Sequence, residues 1–139
     1  MFKKILVPVD LTKKNKKALD IAVQIARQNK SKVYLLHVIE TIAYTSFSEF
    51  ESFYRKLEIH AQRYIDKLTT PYKRKKLFIE GKIAFGNRVG EILRFANENK
   101  IELIVLNSHK INFQESLENW GTISYKVGIL SQCPVMLVK

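Results

Sequence analysis

Apolar residues along the chain fall into two patterns, and they alternate. The first is a short continuous run: residues 5–9 (Ile-Leu-Val-Pro-Val), 33–39 (Val-Tyr-Leu-Leu-His-Val-Ile), 102–106 (Glu-Leu-Ile-Val-Leu) and 133–138 (Cys-Pro-Val-Met-Leu-Val). Runs of this length suit strands buried on both faces of a sheet. Residues 76–81 make a weaker run, ending at Gly81. The second pattern has steps of three and four residues, the period of a helix with one buried face. Ala18, Leu19, Ala22, Ile25 and Ala26 follow it, with Thr12 as N-cap and Asn29 and Lys30 at the end.

A longer helix is predicted after the capping-box pattern Ser46-Phe47-Ser48-Glu49. Its stripe is Phe47, Phe50, Tyr54, Leu57, Ala61, Tyr64, Ile65 and Leu68, and Pro71 is read as its stop. The turn at residues 86–90 places Asn87 as N-cap of a third helix through Val89, Ile92, Leu93 and Ala96 to about Asn99. Residues 107–120 are polar and without a period. A last short helix is read from Gly121-Thr122 to near Ser131, and Pro134 suits the start of the fifth strand.

Strand and helix therefore alternate, five of one and four of the other, with no repeat and no linker. That is a doubly wound α/β domain with a parallel sheet and helices on both faces. A single domain over residues 1–139 is expected. In such sheets ligands bind beyond the carboxyl ends of the strands, where strand order reverses. The residues to inspect are Asp10-Leu11-Thr12 after the first strand, His37-Val38 at the end of the second, and Asn107-Ser108-His109-Lys110 after the fourth. Gly121-Thr122-Ile123-Ser124 opens the last helix, and a helix N-terminus attracts anions.

Composition adds to this picture in two places. One cysteine, Cys133, allows no internal disulfide, which fits a reducing, cytoplasmic setting. The apolar run before Pro8 is too short for a signal peptide, and no stretch approaches a membrane span, so the chain reads as mature protein with no membrane partner. The other place is charge. Twenty-four Lys and Arg against 13 Asp and Glu give +11. Part of the excess lies at 13–17 (Lys-Lys-Asn-Lys-Lys) and 73–76 (Lys-Arg-Lys-Lys). A solvated basic face is the first reading; binding of nucleic acid or another polyanion is the alternative.

Bland roles are expected for most reactive side chains. His37 reads as a hydrogen-bonded core residue, His60 as a surface residue of the long helix, His109 as an exposed loop residue and Cys133 as a buried thiol. The three histidines lack metal-ligand spacing, and no catalytic constellation is read. Neither a Walker A loop nor Gly-x-Gly-x-x-Gly occurs.

Five segments together resemble the universal stress protein family. They are residues 3–10, residues 35–38, the turn from Gly86 to Ile92, residues 103–105, and Gly121-Thr122-Ile123-Ser124 with Cys133-Pro134-Val135. The resemblance spans essentially the whole chain, and it is the set rather than any one segment that is specific. It implies the adenine nucleotide alpha hydrolase-like fold, with strand order 3-2-1-4-5.

Many members of that family bind ATP through a loop Gly-x-x-Gly-x9-Gly-Ser/Thr after the fourth strand. Gly121 and Thr122 take its last two positions and Ser124 a further hydroxyl position. Asn107 and Lys110 stand where the two earlier glycines belong, and the spacing to Gly121 is one residue longer; sliding by one puts Ser108 and Ile111 there. Asp10 matches a position that contacts adenosine, and Val38 one whose backbone helps hold the adenine ring. The candidate nucleotide site is thus Pro8, Asp10, Thr12, Val38, Asn107, Ser108, Lys110, Gly121, Thr122, Ile123 and Ser124. The resemblance also implies a homodimer through the last strand, with Val135, Met136, Leu137 and Val138 at the edge. The expected function is a stress-response protein that acts by binding and dimerisation, with ATP binding weak or lost and little or no turnover. The alternatives are an ATP- or AMP-binding switch or slow ATPase using magnesium, and polyanion binding through the lysine clusters.

Overall fold

A computed structural model describes residues 1–108 and 123–139. Strand β1 (Lys4–Pro8) leads through a 3-10 turn (Lys13–Asn15) into helix α1 (Lys16–Asn29) and strand β2 (Lys32–Glu40). A second 3-10 turn (Phe47–Phe50) opens helix α2 (Glu51–Lys73), followed by β3 (Ile79–Gly86), α3 (Arg88–Glu98), β4 (Leu103–Asn107), α4 (Ile123–Leu130) and β5 (Val135–Val138). The five strands are parallel, in the order β3-β2-β1-β4-β5. The expected fold class and strand order both hold.

Strand periodicity divides the core. Ile5, Val7 and Val9 face α1 with Val33, Leu35, Leu103 and Val105, where Leu19, Ala22 and Ala26 cover them. Leu6, Leu36, Val38, Ile104 and Leu106 face the other way, against Ile92 and Ala96 of α3 and Val127 of α4. Successive side chains of a strand point to opposite faces, so continuous apolar runs are what this two-sided burial requires.

The cap expectations hold at three places. Asn87 Oδ1 accepts from the Gly90 amide at 3.0 Å and caps α3 itself, whereas Thr12 Oγ1, which accepts from the Lys14 amide, and the reciprocal capping box of Ser46 and Glu49 cap the 3-10 turns that lead into α1 and α2.

Two expectations fail. Pro71 does not stop α2, which runs on to Lys73. A proline near the end of a helix removes only one ladder bond. The last turn is held from outside by Tyr72, which packs against the α1-side core and whose hydroxyl donates to Asp20 of α1 at 3.0 Å. The strand expected at 76–81 starts at Ile79 and continues to Gly86. Lys76 has a positive φ of 60° and belongs to the turn. Gly81 lies mid-strand because α2 crosses there: a methyl added at Gly81 would stand 2.0 Å from Ile65 Cγ2. Glycine inside a strand marks such a close approach.

The expected start of the last helix at Gly121-Thr122 lies outside the described residues. Among the described residues, no helix is long and apolar enough to cross a membrane.

Candidate functional site

Beyond the carboxyl ends of β1 and β4 lies a cleft with two kinds of wall. Leu36, Val38, Ile92, Leu106 and Ile123 make it apolar, and Asp10, Asn15, Arg88, Asn107 and Ser124 make it polar; Pro8 and Val9 form the floor. The position is the topological switch point, since the chain leaves β1 toward β2 on one side and β4 lies on the other.

Asp10 is held from behind. Its Oδ1 accepts from the Thr12 amide at 2.9 Å, from the Thr12 hydroxyl and from Asn15 Nδ2 at 3.1 Å. Its Oδ2 has no hydrogen-bond partner among the described residues. Burial pushes the Asp10 carboxyl up, but the Thr12 and Asn15 hydrogen bonds and the charge of Arg88 outweigh it and leave the pKa below its ordinary 3.8. The group is therefore an anion at neutral pH, with one oxygen committed to the loop and the other available to a donor.

Asn15 does most of the fixing. It is 3% exposed. Its Nδ2 also donates to the carbonyls of Asp10 (2.6 Å) and Thr12 (2.9 Å), while its Oδ1 accepts from the Asp10 amide at 3.2 Å. Tyr64 of α2 donates its hydroxyl to the Thr12 carbonyl. The loop after β1 is thus tied to the start of α1 and to α2 at once.

Arg88 enters from the start of α3. Its Nε lies 3.5 Å from Glu40 at the end of β2, with both side chains partly exposed. An ion pair of that kind is weak, so the guanidinium is free to turn toward an anion in the cleft.

Of the expected site residues, the structure brings Pro8, Asp10, Val38, Asn107, Ile123 and Ser124 together in this cleft. Thr12 stands behind Asp10 as its donor. Ser108 lies under the cleft: its amide donates to the Val138 carbonyl at 2.7 Å and its hydroxyl sits 3.3 Å from that of Ser124. Lys110, Gly121 and Thr122 lie outside the described residues, as does His109. Sequence reasoning missed Asn15 and Arg88. Asn15 was hidden inside a lysine run, and only its spacing of five from Asp10 hinted at a loop clamp. Arg88 follows Asn87, and a basic residue at N1 of a helix behind a parallel strand was the available signal.

His37 is a core residue, as expected: it is buried, with Nδ1 3.0 Å from the Val9 carbonyl. His60 is exposed. Cys133 departs from expectation. It is half-buried rather than buried, with Sγ 3.4 Å from the Ser131 hydroxyl, because it precedes β5 at the rim. No group of three or more His, Cys, Asp or Glu able to hold a metal occurs among the described residues.

Comparison with known proteins agrees with this geometry. The family model described as the universal stress protein family matches residues 1–139. Universal stress protein YxiE of Bacillus subtilis is 30% identical over 154 aligned positions, covering all of both chains. Among solved structures, hypothetical protein MJ0577 has a TM-score of 0.84 at 28% identity, over 100% of this chain and 96% of that one. A universal stress protein family protein from Arabidopsis thaliana with AMP bound has a TM-score of 0.73 at 21% identity, over 99% of this chain and 91% of that one. A five-stranded parallel sheet with a cleft at its switch point defines the class of fold. Within that class, the chain belongs to the universal stress protein family.

Proposed function

We propose that this chain acts by binding, through a cleft that takes the nucleoside half of an adenine nucleotide and depends little on a triphosphate. The observation that carries the reading is the state of Asp10: an anionic carboxylate fixed through Oδ1, with Oδ2 unpartnered, at the mouth of an apolar slot. A ribose presents hydroxyl donors to such a carboxylate, and a flat base suits walls of Val38, Leu36, Ile92 and Leu106. The AMP-bound Arabidopsis relative of the same fold supports this choice of ligand.

The phosphate side is built differently. Asn107 stands at the end of β4 with a side chain in the cleft, and Lys110 follows it in sequence, where the family pattern has glycines whose amides approach phosphates. Among the described residues Arg88 offers charge on this side of the cleft. With fewer glycine amides to approach them, the second and third phosphates have less to gain than in the family pattern. Among the described residues of the cleft Asp10 is the one carboxylate. A cytoplasmic binding protein with little turnover, paired with a second copy through β5, is the form of the proposal.

Mass spectrometry of ligand released from freshly purified protein tests it. Recovery of AMP, adenosine or a related mononucleotide from the parent, and its loss from Asp10→Ala, is expected. A co-purifying ligand that stays bound in Asp10→Ala would show that another part of the molecule holds it.

A further inference from the structure

A second cleft lies at the opposite edge of the sheet, where the strands begin. It is lined by the end of α1, the start of β2 and the turn between α2 and β3. Five of its nine lining residues are cationic, namely Arg27, Lys30, Lys32, Lys75 and Lys76, and none is acidic. All five are exposed, and none forms an ion pair among the described residues. Only two of the five come from the basic run at 73–76; the fold adds the other three from elsewhere in the chain.

Backbone conformation singles out two of them. Lys30 and Lys76 have φ of 55° and 60°, and Lys100, at the corresponding turn between α3 and β4, has 54°. Left-handed residues after a helix are usually glycine, which adopts them without steric cost. Here three successive helix-to-strand turns place lysine in that conformation, all at the same edge of the sheet. The side chains are kept where backbone sterics favour their removal. Such an outlier is a reason to look for function.

The cleft also holds an aromatic ring. Phe78 is 45% exposed. Lys32 Nζ lies 5.1 Å over its ring, and Tyr34 meets it edge-on at 5.9 Å. Converging cations that follow a phosphate backbone, with an exposed ring for a base to stack on, are the elements of single-strand recognition. A duplex hides the base faces that such a ring would contact. We infer that this cleft binds single-stranded nucleic acid, with the cations on successive phosphates and Phe78 against a base. The site is independent of the nucleotide cleft, which lies at the other end of every strand.

Fluorescence anisotropy of a labelled single-stranded oligouridylate with the full chain tests it. Five phosphate contacts give a slope of about −3.5 for log affinity against log salt, so affinity is expected to fall about a hundredfold from about 50 to about 200 mM salt. The double variant Lys30→Gly/Lys76→Gly relieves both left-handed positions, so its Tm is not expected to fall. Its affinity at about 50 mM salt is expected to drop at least about tenfold, and its slope to shrink by about 1.4. Replacing Lys13, Lys14, Lys16 and Lys17 by Gln, at the other end of the molecule, is expected to leave that slope unchanged. No binding by the parent at low salt overturns the inference, as does undiminished binding by the double variant or loss confined to the Gln variant. Tighter binding to phosphatidylserine vesicles than to the oligonucleotide at equal ionic strength also overturns it, in favour of a membrane surface.

Discussion

Three donors from two residues converge on Asp10 Oδ1, and a fourth hydrogen bond, from the Asp10 amide to Asn15 Oδ1, fixes the backbone beneath it. The result is a carboxylate with its ordinary acid–base range shifted downward. The consequence for stability has a definite sign. A carboxyl whose folded pKa lies below its unfolded value stabilises the fold above the unfolded pKa, and that contribution is lost as pH falls through the folded pKa. The Tm difference between the parent and Asp10→Asn is therefore expected to stay constant above about pH 5 and to shrink below about pH 3.8, as thermal melts across that range would show. A difference that grows on acidification would mean that the carboxyl is destabilised in the fold. Asn15→Ala removes the clamp and takes a hydrogen bond from each of the half-buried Asp10 carbonyl, the Thr12 carbonyl, which keeps Tyr64, and the Asp10 carboxylate, so a loss of about 1–3 kcal/mol is expected from denaturant melts.

At the scale of elements, the crossing of α2 over β3 sets a tolerance that is easily tested. Gly81 admits no side chain, because Ile65 occupies the space. Gly81→Val is expected to cost at least about 1–3 kcal/mol by overpacking, and pairing it with Ile65→Ala is expected to recover part of that loss, as urea melts of the three variants would read. Strand β5 raises a different question. It pairs with β4 alone among the described strands, and Met136 and Leu137 are exposed at 37% and 38%. Val138 instead packs into the α1-side core at 4% exposure. An apolar edge of this kind needs a cover, and the proposed cover is β5 of a second copy. Leu137→Lys is expected to give monomers on size exclusion with an unchanged far-UV spectrum; a dimer that persists would place the interface elsewhere.

At the scale of the whole molecule, the alternation of runs and stripes was enough to reach a parallel sheet and the end at which its cleft lies, because both follow from burial. What the chain hid from a linear reading depends on contacts between distant segments. Pro71 read as a stop, yet Tyr72 holding Asp20 across 52 positions carries the helix past it. Gly81 read as a boundary, yet it is the point where Ile65 passes. Asp10 was legible because it directly follows a buried strand, whereas Asn15 acts only once the loop folds it back onto Asp10 and Thr12, and Arg88 is brought to Asp10 from α3 by the packing of distant segments. The lysines read as two runs; folding separates those runs to opposite ends and joins one of them to Arg27, Lys30 and Lys32.

The proposed preference for the nucleoside half over the triphosphate is open to direct measurement. Thermal shift titrations with AMP and with ATP plus magnesium yield both affinities, since a ligand at a hundred times its Kd stabilises the fold by about 2.7 kcal/mol. Comparable Kd values, within about tenfold or about 1.4 kcal/mol, are expected for the parent, with neither ligand shifting Asp10→Ala. Binding of ATP with magnesium more than about a hundredfold tighter than AMP, or no shift with either nucleotide at millimolar concentration, would contradict it.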